Sequence, residues 1–172
     1  MILLGLLREE VRAASWFAAL GEPLTDGDRA DAQAYANTDE VTLVPSWYEA
    51  EEFLKAPTTS LEWWDREEAM RRKLLARAET QHPERALWTA LTDLTTEAGD
   101  LVHGKAAAAA ARLGGAKPAS IHVAAGAAAQ AVYQVAVARL AGAESSPFES
   151  KFRLFAAGRW PLGRAGTRLM LF

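Results

Sequence analysis

A mainly α-helical bundle, with residues 1–172 in a single domain, is the fold that this sequence predicts. Two observations carry the prediction. Alanine-rich runs lie on both sides of a Gly-Gly-Ala-Lys-Pro break at residues 114–118, and apolar residues recur at three- and four-residue steps through most other segments. Alanine is the best helix former, glycine ends helices and proline suits a first helical turn. The break therefore predicts a tightly packed helical hairpin over residues 104–142.

Two helices are predicted in the N-terminal part of the chain. Apolar residues recur at helical spacing through residues 2–20, and Gly21 ends that pattern. A second, short helix is predicted over residues 26–36. Asp26 or Asp28 is its expected N-cap, because an aspartate oxygen accepts a hydrogen bond from a free backbone N–H at a helix start.

A small two-stranded β-ribbon is predicted to accompany the helices. Residues 40–44 form a β-branched run that Pro45 closes, and the pattern of residues 167–172 is compatible with a strand. The two segments are expected to pair. Ser46 then caps a helix over residues 47–55, with a glutamate three residues further on.

Four more helices are predicted, and the bundle as a whole is expected to have about five to seven. They cover residues 61–81, 84–113, 119–141 and 148–157. Ser60 is the expected N-cap of the first of them, and Pro83 precedes the second. Glycines interrupt the second helix, so the sequence leaves open whether it is continuous. The stretch from Gly158 to Gly163 is expected to form an irregular turn.

Charge is unevenly distributed along the chain, although its formal net charge is only −3. Acidic residues greatly outnumber basic ones over residues 22–68, whereas residues 151–172 contain five basic residues and no acidic one. Opposite charges attract. The two segments are therefore expected to meet, either within one chain or between two.

Glu67 and Arg71 are the first candidate site. On a helical wheel both project into an apolar arc that also contains Trp63 and Trp64. A half-buried ion pair beside two indoles is a place where a charged ligand binds or a pKa is displaced. The alternative is an ordinary surface pair one turn apart, whose aliphatic stems lie over tryptophan.

An acidic stripe on the fifth predicted helix is a second candidate. It consists of Asp93, Glu97 and Asp100. The like charges of these carboxylates repel one another, so a cation or an arginine would be a favourable partner. His103 follows Asp100 at the carboxylate-x-x-His spacing found in di-iron bundles. A second such motif is missing from the sequence. If the hairpin folds about Ala116, His103 and His122 lie on the order of 10 Å apart along the helix axes, too far to share an ion. No metal site is therefore predicted.

The second hairpin helix is apolar over about the length of a membrane span, but it carries polar side chains. Gln130 and Gln134 lie one turn apart on it. Buried amides must find hydrogen-bond partners, so these two either line a polar pocket or fix the register of a neighbouring helix. We expect a buried helix of a cytoplasmic protein rather than a membrane segment.

Basic and aromatic residues alternate in the C-terminal segment, which is the third candidate. They are Lys151, Arg153, Arg159, Trp160, Arg164 and Arg168. Arginines that contact phosphates and rings that stack on bases are typical of single-stranded nucleic-acid binding. The alternatives are packing of a terminal helix onto the bundle and contact with an acidic partner protein, which the slightly acidic pI of the chain favours.

Several chemistries are excluded or unsupported by the sequence. Without cysteine there is no disulfide, no thiolate nucleophile and no cysteine-ligated metal, and no hydrolase, Walker or zinc-protease motif is present. No catalytic residue, cofactor or metal is predicted. The expected function is non-enzymatic assembly, with itself or with a protein partner. Nucleic-acid binding and a small enzyme or ligand pocket near Glu67 and Arg71 are the alternatives.

Overall fold

The structure is a computed structural model and describes residues 2–56 and 61–172. The described residues form seven helices and three strands. The helices are α1 (Ile2–Ala13), α2 (Asp26–Ala36), α3 (Trp47–Lys55), α4 (Leu61–Gln81), α5 (Glu84–Leu113), α6 (Pro118–Leu140) and α7 (Pro147–Ala156). The strands are β1 (Val41–Leu43), β2 (Pro161–Ala165) and β3 (Arg168–Leu171). The prediction of a mainly α-helical fold is confirmed.

Helix α1 ends well before residue 20, so that part of the prediction is wrong. The Ser15 N–H donates to the carbonyl of Ala156 at 2.8 Å instead of continuing the helical ladder. The carbonyl of Val11 that it would have used accepts from the Trp16 indole N–H, also at 2.8 Å. The Ser15 N–H finds a tertiary partner and the freed Val11 carbonyl finds a local one, and the helix gives way to a turn that packs against the end of α7.

Helices α2 and α3 begin at side-chain caps. The N-cap of α2 is Thr25, and not Asp26 or Asp28 as predicted. The Thr25 hydroxyl accepts from the Asp28 N–H at 3.1 Å, and the Asp28 carboxylate accepts from the Thr25 N–H at 2.8 Å. This reciprocal pair is a capping box. Helix α3 has the predicted bounds, and its Ser46 hydroxyl accepts from the Glu49 N–H. The predicted cap of α4, Ser60, lies outside the described residues.

The alanine-rich hairpin forms the centre of the fold. Helix α5 runs without a break through both of its glycines, which answers the question that the sequence left open. Gly114 and Gly115 then take positive φ angles of 71° and 79°, and Pro118 starts α6. Small side chains let the two helices approach closely, and α6 also packs against α1, α4 and α7.

Helix α6 is the one described helix that is long and apolar enough to cross a membrane by length and composition. More than half of its most apolar window is buried inside the fold. Core helices of soluble proteins pass the same test, so the finding is weak evidence about location.

The small sheet has three strands in the order β1-β3-β2. Strand β1 pairs with β3 in parallel, with Val41 opposite Leu169, and β2 pairs with β3 in antiparallel orientation. The predicted pairing of 40–44 with 167–172 is thus found, but the predicted irregular turn at 158–163 is partly wrong, because β2 begins within it. Proline at the first position of an edge strand and a register shift before Gly163 remove the alternation that marks a strand.

Candidate functional site

Among the described residues, three ion pairs join the acidic segment 22–68 to the basic segment 151–172. They are Lys151–Glu67 at 2.5 Å, Arg153–Asp31 at 2.6 Å and Arg159–Asp28 at 3.0 Å. The predicted attraction is therefore confirmed, and it acts within one chain. It holds α2 and α4 against α7 and the residues that follow α7.

The buried Lys151–Glu67 pair belongs to a four-residue polar cluster, which we call the Glu67 cluster: Tyr35, Glu67, Gln134 and Lys151. The Glu67 carboxylate accepts from the Tyr35 hydroxyl at 2.6 Å, from the Gln134 amide at 2.8 Å and from the Lys151 ammonium at 2.5 Å. Lys151 also donates to the Gln134 side-chain oxygen at 2.9 Å. The members come from α2, α4, α6 and α7, so the cluster ties four helices together.

Burial dominates the electrostatics of this cluster. The Lys151 and Glu67 side chains are only 3% and 7% exposed. Loss of hydration lowers the pKa of Lys151, and the Glu67 carboxylate opposes that shift. Burial also raises the pKa of Tyr35, and the Glu67 charge and hydrogen bond raise it further. The Lys151 ammonium lies 5.6 Å from the centre of the Trp64 ring, which adds a cation–π contact.

Arg71 does not pair with Glu67, so the pairing predicted one turn apart on α4 is wrong. The Arg71 guanidinium donates to both oxygens of Glu68, at 2.6 and 2.7 Å, and to the Tyr133 hydroxyl at 3.4 Å. Glu67 instead turns into the core and meets Lys151. The ion pair of Glu67 is buried and lies near an indole, but its cation comes from a distant part of the chain and not from Arg71.

The two glutamines of α6 have different environments. Gln134 is 1% exposed and belongs to the Glu67 cluster, whereas Gln130 is exposed. The expectation that a buried amide fixes the register of neighbouring helices therefore fits Gln134 alone. Gln130 needs no protein partner because water reaches it.

Half of the residues that predicted a nucleic-acid surface are buried. The exposed fractions of Lys151, Arg159 and Trp160 are 3%, 1% and 2%. Arg159 pairs with Asp28 and donates to three backbone carbonyls of residues 19–23. These side chains hold the fold together and do not face a nucleic acid. The sequence of a short basic segment does not show whether its side chains cover a surface or neutralise buried carboxylates.

A cavity opens beside the Glu67 cluster, and we call it the Trp63–Arg164 cavity. It has a volume of about 220 Å³. Its walls are mostly apolar and aromatic, with two arginines: Tyr35, Ala36, Asn37, Trp63, Arg66, Glu67, Met70, Pro147, Phe148 and Arg164. A second hollow of about 180 Å³ adjoins it and shares Trp63, Arg66 and Arg164. The cavity and this hollow together form one groove, whose apolar end is the cavity and whose polar end is the hollow.

Arg164 differs from the other arginines near this cavity. Its guanidinium lies 5.4 Å from the centre of the Trp63 ring and donates to the Thr167 carbonyl at 3.3 Å. Within residues 2–56 and 61–172 no carboxylate forms an ion pair with it, and its buried Nε has no acceptor. Arg66 has one long contact, 3.7 Å to the exposed Glu62. Because Lys151 already neutralises Glu67, the groove carries an excess of positive charge.

The acidic stripe is partly neutralised by arginines, one of the two outcomes expected. Glu97 accepts from Arg12 at 2.5 Å and lies 3.1 Å from Arg8. Asp93 and Asp100 are exposed. In the described part of the chain, no group of three or more histidine, cysteine or acidic residues is arranged to hold a metal ion.

The predicted separation of His103 and His122 is wrong, because their ring centroids lie 4.9 Å apart. The prediction assumed a symmetric hairpin that folds about Ala116. Residues 114–117 are not helical, and the positive φ angles of the two glycines shift α6 along α5. Loop conformation sets the register of a hairpin, and the sequence does not show it.

The fold and the site together define a small α-helical bundle in which a cavity lined by arginine side chains lies next to a buried ionic cluster. Comparison of the chain with protein-family models, with curated proteins and with solved structures finds no match. The functional argument therefore rests on the residues of the site. Trp63, Trp64, Glu67, Lys151 and Arg164 were predicted from sequence to be functional, although in two separate sites. Tyr35, Met70 and Phe148 were missed, because nothing in the local pattern marks them.

Proposed function

We propose that this protein binds a small, flat organic anion in the Trp63–Arg164 cavity. The observation that carries the proposal is the cationic, stacked and incompletely bonded Arg164 in the wall of a mostly apolar cavity. Ligand sites are concave, mostly apolar and contain a few polar groups that converge on the ligand. An arginine fork without a carboxylate partner supplies the anchor for an anion.

The size and lining of the cavity select the class of ligand. A cavity of about 220 Å³ is somewhat larger than the roughly 150 Å³ that hold a benzene molecule in an engineered core. Trp63, Met70 and Phe148 offer apolar contacts to a ring, and Arg164 and Arg66 face the polar end of the groove. A one-ring aromatic carboxylate fits both ends.

Binding of benzoate and phenylacetate, measured by titration calorimetry and by ligand-observed NMR, tests the proposal. Benzyl alcohol offers the same ring without the charge and is expected to bind more weakly. Arg164→Gln should weaken carboxylate binding roughly ten- to hundredfold, because a hydrogen bond to a charged group contributes about 1.5–3 kcal/mol. It should leave the binding of benzyl alcohol nearly unchanged.

Arg168→Gln is the matched control, since it removes the same charge from the next strand at an exposed position outside the cavity lining. It is expected to bind benzoate like the unaltered protein. Equal weakening by both variants would mean that net charge alone matters. Failure of every tested carboxylate to bind at millimolar concentration would refute the proposal.

Association with another protein chain is a second candidate, favoured by an apolar groove between α3 and the start of α6. The groove has a volume of about 420 Å³ and includes Trp47, Leu54 and Val123. Val123 is 50% exposed and the neighbouring Tyr48 65%. The buried Trp47 indole N–H has no acceptor among the described residues, so a partner's carbonyl would satisfy it. Exposed apolar residues next to such a donor are typical of an interface.

Light scattering over a concentration series tests this candidate. Val123→Asp should abolish association, because it places a charge in the groove. Leu6→Asp is the control, since Leu6 is similarly exposed on α1 and lies outside the groove. A wild-type chain that stays monomeric at high concentration, and shows no added mass with candidate partners, would exclude this function.

Assembly through the alanine-rich faces of α5 and α6 has less support. The buried alanines of α5 and α6 lie in the main core of the same chain, so that face is already occupied. What remains open to a partner is the α3–α6 groove.

A further inference from the structure

We infer that His103 and His122 form a surface site for a late first-row divalent metal ion such as Zn²⁺, Ni²⁺ or Cu²⁺, bound by one imidazole from each helix of the hairpin. The inference is independent of the ligand cavity. It begins from the ring contact across the α5–α6 seam.

The position of the pair follows from the helix packing. His103 lies one turn before Ala106 on α5, and His122 lies one turn before Ala125 on α6. Both alanines are buried, whereas both histidines are exposed. The histidines therefore lie at the edge of the seam, and the short alanine side chains behind them allow the two helix backbones to approach closely.

The distance between the rings suits chelation. With a metal–nitrogen distance of about 2.1 Å, each ring centroid lies roughly 3.2 Å from the ion, so two imidazoles on one octahedral or tetrahedral ion have centroids about 4.5–5.2 Å apart. The centroids of His103 and His122 are 4.9 Å apart, with 35° between the ring planes. Exposed side chains change rotamer in nanoseconds, so small rotations suffice to aim both nitrogens at one point.

The ring nitrogens are free to bind an ion. Neither ring has a hydrogen bond or an ion pair with another residue in the described ranges. His82, the third histidine of the chain, is engaged differently, since its Nε2 lies 2.9 Å from the carbonyl of Leu140.

The donor set defines the kind of ion. Imidazole suits zinc, copper and nickel, whereas magnesium and calcium prefer oxygen ligands. Two protein ligands leave the remaining positions to water, which agrees with the absence of any group of three or more ligating residues in the described part of the chain. Bound metal would bridge α5 and α6.

The test is calorimetric titration of protein that carries no affinity tag. Zn²⁺ and Ni²⁺ are expected to bind at one ion per chain, Cu²⁺ more tightly than either, and Mg²⁺ not at all. His103→Ala and His122→Ala should each weaken Zn²⁺ binding about tenfold or more, because each leaves a single imidazole. The double variant keeps neither imidazole and should show only residual, non-specific Zn²⁺ binding.

Gln130→Ala is the matched control, because Gln130 is exposed on α6 two turns beyond His122. It should bind Zn²⁺ like the unaltered protein. Alanine favours helix at every position changed, so circular dichroism should show a folded chain throughout. The thermal midpoint should rise with Zn²⁺ in the unaltered protein and in Gln130→Ala, but not in the histidine variants. Unchanged Zn²⁺ affinity in both single histidine variants, or no Zn²⁺ binding by the unaltered protein at millimolar concentration, would overturn the inference.

Discussion

Removing one charge of the buried Lys151–Glu67 pair should be far more damaging than removing both. Glu67→Leu leaves the Lys151 ammonium, 3% exposed, with the neutral Gln134 oxygen as its remaining hydrogen-bond acceptor. An uncompensated buried charge costs about 3–5 kcal/mol of stability. In a chain of this length each kcal/mol lowers the thermal midpoint by roughly 2–4 °C, so a shift of about 6–20 °C is expected.

The other changes of the cycle should cost less. After Lys151→Met, Glu67 keeps the hydrogen bonds from the Tyr35 hydroxyl and the Gln134 amide. After both changes no charge is left in the core. Replacement of a buried ion pair by apolar residues of similar volume is often close to neutral. The coupling energy between the two positions should therefore be at least about 2 kcal/mol.

The stability of Glu67→Leu should also depend on pH in a defined direction. The pKa of Lys151 is lowered by burial from its usual 10.5, and Glu67 opposes that shift. Without Glu67 the folded pKa falls further, while the unfolded value stays. Between those two values the unfolded chain binds more protons, so stability rises with pH. The raised pKa of Tyr35 acts oppositely above pH 10, where the unfolded tyrosine ionises first, so measurements belong below about pH 9.5.

Urea denaturation followed by tryptophan fluorescence, from about pH 6.5 to about 9.5, measures both effects. Glu67→Gln provides a milder variant if Glu67→Leu does not fold. The assigned pairing of Lys151 and Glu67 is incorrect if two results are obtained together. The stability losses of the two single variants would add in the double variant, and the stability of the Glu67 variants would not rise with pH.

Three further predictions concern the backbone and acid stability. Gly158→Ala should destabilise by at least about 3 kcal/mol, because a Cβ would lie 2.5 Å from a backbone nitrogen at a φ of +94°. Gly99→Ala should instead stabilise the protein by about 1 kcal/mol, because no heavy atom lies within 4 Å of a Cβ at that position. Urea denaturation measures the free energy of unfolding of both variants, and equal changes in the two would refute the reasoning. Hydrogen bonds from Lys117 and Lys55 lower the pKa of Glu51 from 4.5 to about 2. The resulting stabilisation is present above pH 4.5 and is lost as pH falls towards 2. The thermal midpoint of Glu51→Gln should therefore fall less over that pH range than the midpoint of the unaltered protein. An equal fall in the two proteins would contradict this prediction.

Local patterns predicted most of the helices, because helix formation depends on neighbours three and four residues apart. The bounds of α3 and α4 are those expected from the sequence. Helix α1 was predicted too long because its end depends on the tertiary hydrogen bond from Ser15 to the carbonyl of Ala156, and on the Trp16 indole, which donates to the carbonyl of Val11. Strand β2 was missed because proline and glycine hide its alternation.

The site was predicted only in pieces, for the same reason. Uneven charge indicated that the acidic and basic segments meet, but charge alone does not say which residues pair. Glu67 and Lys151 lie 84 positions apart, and each was assigned to a different candidate site. Sequence separation does not reveal that α4 and α7 share a neighbour in α6. Likewise the contact of His103 with His122 depends on loop geometry that composition does not reveal.

The positions of the ion pair and of Arg164 imply that folding and ligand binding can be separated by mutation. Glu67 lines the cavity and its carboxylate accepts hydrogen bonds from three other helices, so Glu67→Gln should lower the free energy of unfolding. It should not weaken the binding of benzoate, because it removes a negative charge beside the anion site and leaves Lys151 without its counter-charge. Arg164 makes one hydrogen bond, at 3.3 Å, so Arg164→Gln should lower the affinity and leave stability within about 0.5 kcal/mol. Parallel calorimetric and denaturation measurements on the two variants compare these effects. A large loss of stability in Arg164→Gln would mean that the arginine holds the cavity wall in place, and its cationic contact with Trp63 would then be structural and not a preformed anchor.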